Sequence, residues 1–200
     1  MKKIIFSLFF LLFTSTFVYA LTFSDVSEDH YYYDAVDFLV STGVVVGNPD
    51  GSFEPDDVLN RAEALTMVAK AVYQYKELDD GVFDEYASEA CFSDVLADLW
   101  YTEYVCYAFA EGWIVGYSDG DFRPGDDVKF VEALKIVYKG FGFNYDGDDS
   151  IWYKPIVDDA ASFNYIPLTI SAFDQALTRA EIADLLARVI KFEEGDLDDY

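Results

Sequence analysis

Residues 23–70 return as residues 92–139 at an offset of 69, with 20 identities in 48 aligned positions. Unrelated sequences would share about three, so the chain contains a duplication. A duplicated unit of this size cannot bury its apolar face alone and must pack against its neighbours. The shared residues fall in blocks. Phe23, Ser24, Asp25 and Val26 return as Phe92, Ser93, Asp94 and Val95. Gly43, Gly47, Asp50, Gly51, Phe53 and Pro55 return as Gly112, Gly116, Asp119, Gly120, Phe122 and Pro124, and Glu63, Ala64 and Leu65 as Glu132, Ala133 and Leu134.

Between the first two blocks, Tyr32, Ala35, Val36, Leu39 and Val40 recur at helical spacing, as do Tyr101, Tyr104, Val105, Ala108 and Phe109. Each copy therefore opens with a helix that buries one face. Gly43 and Gly112 follow the last periodic residue, where a left-handed helix end favours glycine. Asp-Gly signals in 48–55 and 117–124, each followed by a Phe, predict tight loops folded onto the core. A second helix is predicted from about Arg61 and Glu132. There, Asn60 with Glu63 can cap the free N–H groups reciprocally, and Thr178 with Glu181 repeats the arrangement.

That second capping box marks a third copy, whose helix carries Ile182, Leu185, Leu186, Val189 and Ile190 on one face. Trp152 and Tyr153 match Trp100 and Tyr101, and Val157, Ala160 and Ile166 match Val105, Ala108 and Ile114. This copy is degenerate: the Gly-rich loop is missing, and the step from Trp to Glu shrinks from 32 residues to 29. The expected fold is mainly α, three helix-loop-helix repeats packed as a pseudo-threefold bundle. The expected organisation is a signal peptide at 1–20, repeats at 23–75, 91–141 and 151–192, an acidic linker at 76–90, a linker at 142–150 and an acidic tail at 193–200.

Lys2 and Lys3, the apolar run from Ile4 to Phe13 and the closing Val18, Tyr19, Ala20 have the order of a secretory signal peptide. The alternative is an uncleaved anchor; no later segment is long and apolar enough to span a bilayer. Without Lys2 and Lys3 the 13 basic residues become 11 against 38 acidic ones, a formal charge of −27. Such a surface repels nucleic acid and anionic lipid, which excludes nucleic-acid binding. The acidity serves either solubility or loosely held divalent cations. No stretch has the ligand spacing of a calcium loop, so no metal or cofactor is expected. In an exported chain, Cys91 and Cys106 are expected to form a disulfide; a metal or catalytic thiol would need partners, and the single histidine, His30, lies in the other copy. No nucleophile pairs with a base, and no catalytic residue is assigned.

The order FSDV, aromatic helix, VVVGNPDGSFEP, NRAE in the first copy, with CFSDV, WY, WIVGYSDGDFRP, KFVE in the second and WY with TRAE in the third, resembles the surface-layer homology (SLH) domain. The resemblance implies a secreted protein of the cell surface or cell wall. Its partner would be a cell-wall polysaccharide or peptidoglycan-linked polymer, often pyruvylated, held in grooves between repeats. It also implies that the Arg of the TRAE motif meets the anionic group. Carried onto this chain, the implied ligand residues are Arg61 and Arg179, with Asp25, Asp94, Trp100, Gly47 and Gly116 lining the grooves and Trp152 as an addition.

Arg61 and Arg179 each open a helix, where an anion could also accept from backbone N–H groups. Trp100 and Tyr31 either stack on sugar rings or belong to the core. Asp25 and Asp94 either cap a turn or meet ligand, while Gly47 and Gly116 most simply serve backbone geometry. In the second copy Lys129, Phe130, Val131, Glu132 replace the motif, so its groove lacks the Arg; Arg123 is the nearest substitute. The competing function is a structural or protein-docking surface module, with other envelope proteins as partners, that has lost glycan binding.

Overall fold

A computed structural model describes residues 23–145 and 150–195. The expected signal peptide, part of the 142–150 linker and most of the acidic tail lie outside the described residues. The fold is mainly helical, as expected. Among the described residues six α-helices follow one another, two to a copy: α1 (Tyr33–Ser41) and α2 (Arg61–Tyr75), α3 (Thr102–Ala110) and α4 (Phe130–Phe141), α5 (Lys154–Ser162) and α6 (Arg179–Glu194). Each first helix packs on the second helix of another copy, α1 on α6, α3 on α2 and α5 on α4. Among the described residues no helix is long and apolar enough to cross a membrane.

The second helices form the centre, and local chemistry starts two of them. Asn60 Oδ1 accepts from the Glu63 N–H while Glu63 accepts from the Asn60 N–H, both at 2.9 Å. Thr178 and Glu181 make the same exchange. In α4 only half survives: Glu132 accepts from the Lys129 N–H at 3.2 Å, but lysine offers no acceptor in return. That helix depends on burial instead, with Phe130, Val131, Ala133, Leu134, Ile136 and Val137 all in the core. It ends at Phe141, and α1 and α3 are each followed, after one capping residue, by a glycine in the left-handed conformation, Gly43 and Gly112 with φ 77° and 73°.

Just before each second helix, one residue from each copy joins a closed ring of backbone hydrogen bonds. Leu59 N–H donates to the Leu177 carbonyl, Leu177 N–H to Val128, and Val128 N–H to Leu59, at 3.0, 3.0 and 3.1 Å. All three side chains are buried. The exchange continues into the helix starts. Arg61 and Ala62 N–H donate to the Asp126 and Pro124 carbonyls, Phe130 and Val131 to Gln175 and Phe173, and Arg179 and Ala180 to Asp57 and Pro55. Copy one is thus capped by copy two, copy two by copy three and copy three by copy one. The third copy has lost its Gly-rich loop but keeps both acceptor carbonyls.

The first-helix faces need one correction. In α1 the predicted Ala35, Val36 and Leu39 are buried, but in α3 Tyr107 is buried and Phe109 is 43% exposed. Tyr107 turns inward because it meets Phe83, Tyr86 and Trp113 edge-on. Phe83 comes from the segment expected as an acidic linker. That segment does join the copies, but a short 3₁₀ turn at Asp84–Tyr86 and the buried Phe83 fasten it to α3. Likewise α6 runs beyond the expected end of the third copy, because Phe192 packs on Phe163 and Tyr165.

Cys91 and Cys106 are joined in a disulfide, as expected, tying the entry of copy two to α3. Replacing both by Ser should lower unfolding free energy by about 3 kcal/mol, the chain-entropy value for so short a loop, read from urea denaturation. Truncating a ring residue, Leu177→Ala, should cost about 2–5 kcal/mol and keep a single transition, because the three copies share one core. Separate melting of copies one and two would contradict a shared core.

Candidate functional site

The cyclic capping creates boundaries between copies, and two of them open as grooves at equivalent positions. The larger, of about 460 Å³, has Arg61 from copy one, residues 112–117 and the α4 residues Glu132, Lys135, Ile136 and Lys139 from copy two, and Trp152 from copy three. The smaller, of about 200 Å³, repeats this one copy round: Arg179, Val44 to Val46, Glu63, Thr66, Met67, Lys70 and Trp100. Every lining residue of the smaller groove except Leu59 is the counterpart of one in the larger.

Each Arg lies on the neighbouring copy's loop. The Arg61 guanidinium is 4.9 Å from the centre of the Phe122 ring and 5.0 Å from that of Tyr117; Arg179 is 5.0 Å from Phe53. Their other partners differ. Arg61 is 7% exposed, donates Nε–H to the Phe122 carbonyl at 2.9 Å, and pairs with Glu132 at 3.3 Å. Arg179 is half-buried and donates one bond, to the Val46 carbonyl at 2.9 Å, while its Nε–H has no partner. Burial pushes the Tyr117 hydroxyl above its ordinary pKa, with Arg61 acting against that shift.

The expected anion site on the helix N–H groups is not available. The first-turn N–H groups of α2 and α6 already donate to carbonyls of the adjacent copy and to the capping side chains of Asn60 and Thr178. Any anion must be met by side chains. Arg123 does not replace the missing Arg of copy two: it pairs with Asp119 at 2.7 Å and lies 4.0 Å from the Tyr117 ring centre, beside the larger groove.

At the third boundary Phe130 occupies the Arg position and the space is closed by a polar network. Glu181 accepts from Thr169 and Gln175 at 2.9 and 3.1 Å, the Tyr32 hydroxyl donates to Thr169 at 2.6 Å, and Asp184 pairs with Arg188 at 3.0 Å. Burial pushes the Tyr32 hydroxyl up to about 12, so it stays protonated and donating. Asp184 and Arg188 are the counterparts of Lys135 and Lys139.

Trp100 and Trp152 are exposed, at 59% and 51%, each with a Tyr ring edge-on behind it. They are groove walls and not core. Trp100 and Arg179 both line the smaller groove, and Gly116 and Arg61 the larger. Tyr31 is their exposed counterpart at the closed boundary. Asp25 and Asp94 hold the groove loops: Asp25 accepts from Phe53 and Glu54 N–H at 2.8 and 2.7 Å, and Asp94 from Phe122 and Arg123 N–H at the same distances. Glu54 and Arg123 are both left-handed, φ 61°, so the carboxylates fix a strained corner. A Cβ on Gly47 would strike the Phe23 ring and the Ser52 carbonyl; on Gly116, the Phe92 ring and the Asp121 carbonyl. Both glycines shape the loop.

Lys135, Lys139, Thr66 and Lys70 escaped the sequence reading because they belong to no motif. Their signal is positional: each lies three or seven residues after the motif Glu. Among the described residues no group of three or more His, Cys, Asp or Glu is placed to hold a metal ion.

Residues 22–65 and 92–134 match the family model described as S-layer homology domain. The chain is 28% identical over 159 residues to "Cell surface glycoprotein 1" of Acetivibrio thermocellus, covering 74% of this chain and 7% of that protein. It is 27% identical over 124 residues to the "Cellulosome-anchoring protein" of the same organism, covering 59% and 25%. Over 183 residues it is 27% identical to "S-layer protein sap" of Bacillus anthracis, covering 85% and 21%. The chain thus spans a quarter or less of the length of these relatives.

Burial pushes the Asp25 carboxyl up, but the Phe53 and Glu54 N–H groups outweigh it and hold the group below the usual carboxylate range. Its contribution to stability is therefore present above the unfolded-state pKa and lost as pH falls through the lower folded value, below about pH 4. Asp25→Ala should cost about 1 kcal/mol at neutral pH, small because the carboxylate is exposed and screened by solvent, and remove this part of the acid dependence, measured by urea melts across pH.

Proposed function

With two S-layer homology domains in the chain, at residues 22–65 and 92–134, we propose that it is an exported, noncatalytic anchoring protein of the cell envelope that holds an acidic cell-wall polysaccharide in its two open grooves. The observation that carries this reading is the recurrence of one arrangement: an Arg laid on the neighbouring copy's Phe ring, in one groove with an exposed Trp, at two equivalent boundaries. Mere duplication does not require both Trp side chains to stay exposed. An exposed indole beside a cation suits a sugar ring that bears a carboxylate, as a pyruvyl ketal does.

The charge balance fits this division. A chain of formal charge −25 repels an acidic polymer at long range, so attraction must come from local cations within a Debye length, about 8–10 Å at physiological salt. Arg179 suits the role in the smaller groove, since it lines the groove, is only half-buried and belongs to none of the ion pairs found among the described residues, so its guanidinium can pair with an incoming carboxylate. Asp25, Asp94, Gly47 and Gly116 contribute by shaping the loops on which the two Arg side chains lie.

Residues 21–200 should sediment with isolated cell walls of the source organism and lose retention once acidic substituents are removed chemically. Arg179→Ala should weaken retention about tenfold without loss of fold. Equal retention by walls with and without their acidic groups would overturn the reading.

A further inference from the structure

The geometry points to Lys135 and Lys139, and not Arg61, as the residues that engage the anionic groups of the polysaccharide in the larger groove. The inference rests on the wall-polymer reading and deepens it. Arg61 is already committed: its charge is paired with Glu132, its Nε–H is given to the Phe122 carbonyl, and its flat faces are covered by Tyr117 and Phe122. The guanidinium keeps further N–H donors, but at 7% exposure and with its charge already shared with Glu132 it offers an incoming carboxylate little surface and little net charge. Arg61 is therefore a positioning residue, one that locks copy one onto the loop of copy two.

Lys135 and Lys139 differ in each respect. They lie one helical turn apart on α4 and both line the groove. Lys139 is exposed, and the half-buried Lys135 holds its ammonium 5.0 Å over the Trp152 ring. Neither belongs to any of the ion pairs found among the described residues. Two unpaired lysines on one turn are notable in a chain with 38 acidic residues. The equivalent pair in the smaller groove is Thr66 and Lys70, with Lys70 over the Tyr104 ring, and at the closed boundary it is the ion pair Asp184–Arg188. Only the larger groove offers two adjacent cations.

Ammonium groups on flexible stems tolerate several anion geometries, whereas a guanidinium demands a planar partner. The ligand segment for this groove is accordingly one with two anionic groups about one helical turn apart, roughly 5–6 Å, on sugars that lie beside Trp152. The smaller groove, with Arg179 and Trp100, suits a segment with one.

The test uses residues 21–200 and polysaccharide released from isolated walls, intact and with its acidic groups neutralised by carbodiimide amidation, in calorimetric titration. Lys135→Gln with Lys139→Gln should weaken binding to the intact polymer at least about tenfold and flatten its salt dependence, with the thermal midpoint unchanged. The charge control Lys191→Gln should do neither. Arg61→Gln should lower the thermal midpoint; where it stays folded, it should keep the salt dependence of the unaltered protein. The inference alone is overturned if the double lysine variant binds as tightly as the unaltered protein. Absence of binding by the unaltered protein overturns this inference and the wall-polymer reading together.

Discussion

Leu59, Val128 and Leu177 donate backbone hydrogen bonds to one another in a closed ring, and the rest of the molecule is arranged by it. Each bond links two copies, so none is satisfied within a single repeat. An unpaired N–H group in that apolar centre would cost about 1–3 kcal/mol. The helix starts extend the same logic, since the free N–H groups of each second helix are accepted by carbonyls of the next copy. The degenerate third copy is explained by this. Its motif loop is dispensable, but Leu177 and the carbonyls of Phe173 and Gln175 are not.

The grooves are consequences of the same ring. Because every copy leans its motif helix on the loop of the next, each boundary carries one helix start, one loop and one wall aromatic from the remaining copy. What separates an open groove from a closed one is a handful of side chains. Arg on a Phe ring leaves space at two boundaries; Phe130, with the Glu181 network and the Asp184–Arg188 pair, fills the third. Duplication supplied equal frames, and substitution made them unequal.

Much of this was legible in residues whose partners are close in sequence. The capping boxes at Asn60 and Thr178, the Asp-Gly turns and the helical spacing of Ala35, Val36 and Leu39 all act within a few residues, and the structure keeps them. The burial of Tyr107 in place of Phe109 was not legible, because it depends on Phe83, which reaches α3 from a segment whose acidity reads as a linker. The occupied helix N–H groups escaped notice for the same reason: their acceptors belong to another copy. Trp100 and Trp152 show the limit most clearly. Each opens an amphipathic helix, which usually means core, yet each stands exposed at a boundary between copies.

The two fates of a basic side chain here follow from what surrounds it. Arg61 enters a site with a carboxylate and a carbonyl already in reach, and burial makes those contacts strong and hard to exchange. Arg179 enters the equivalent site, yet it makes no ion pair with Glu63, the counterpart of Glu132, and one of its N–H groups is left without an acceptor. Glu132 serves the same cap, accepting from the Lys129 N–H at 3.2 Å, and shares that oxygen with Arg61 at 3.3 Å. The pairing of Arg61 with Glu132 leaves the unpaired charge of the larger groove to the lysines of α4.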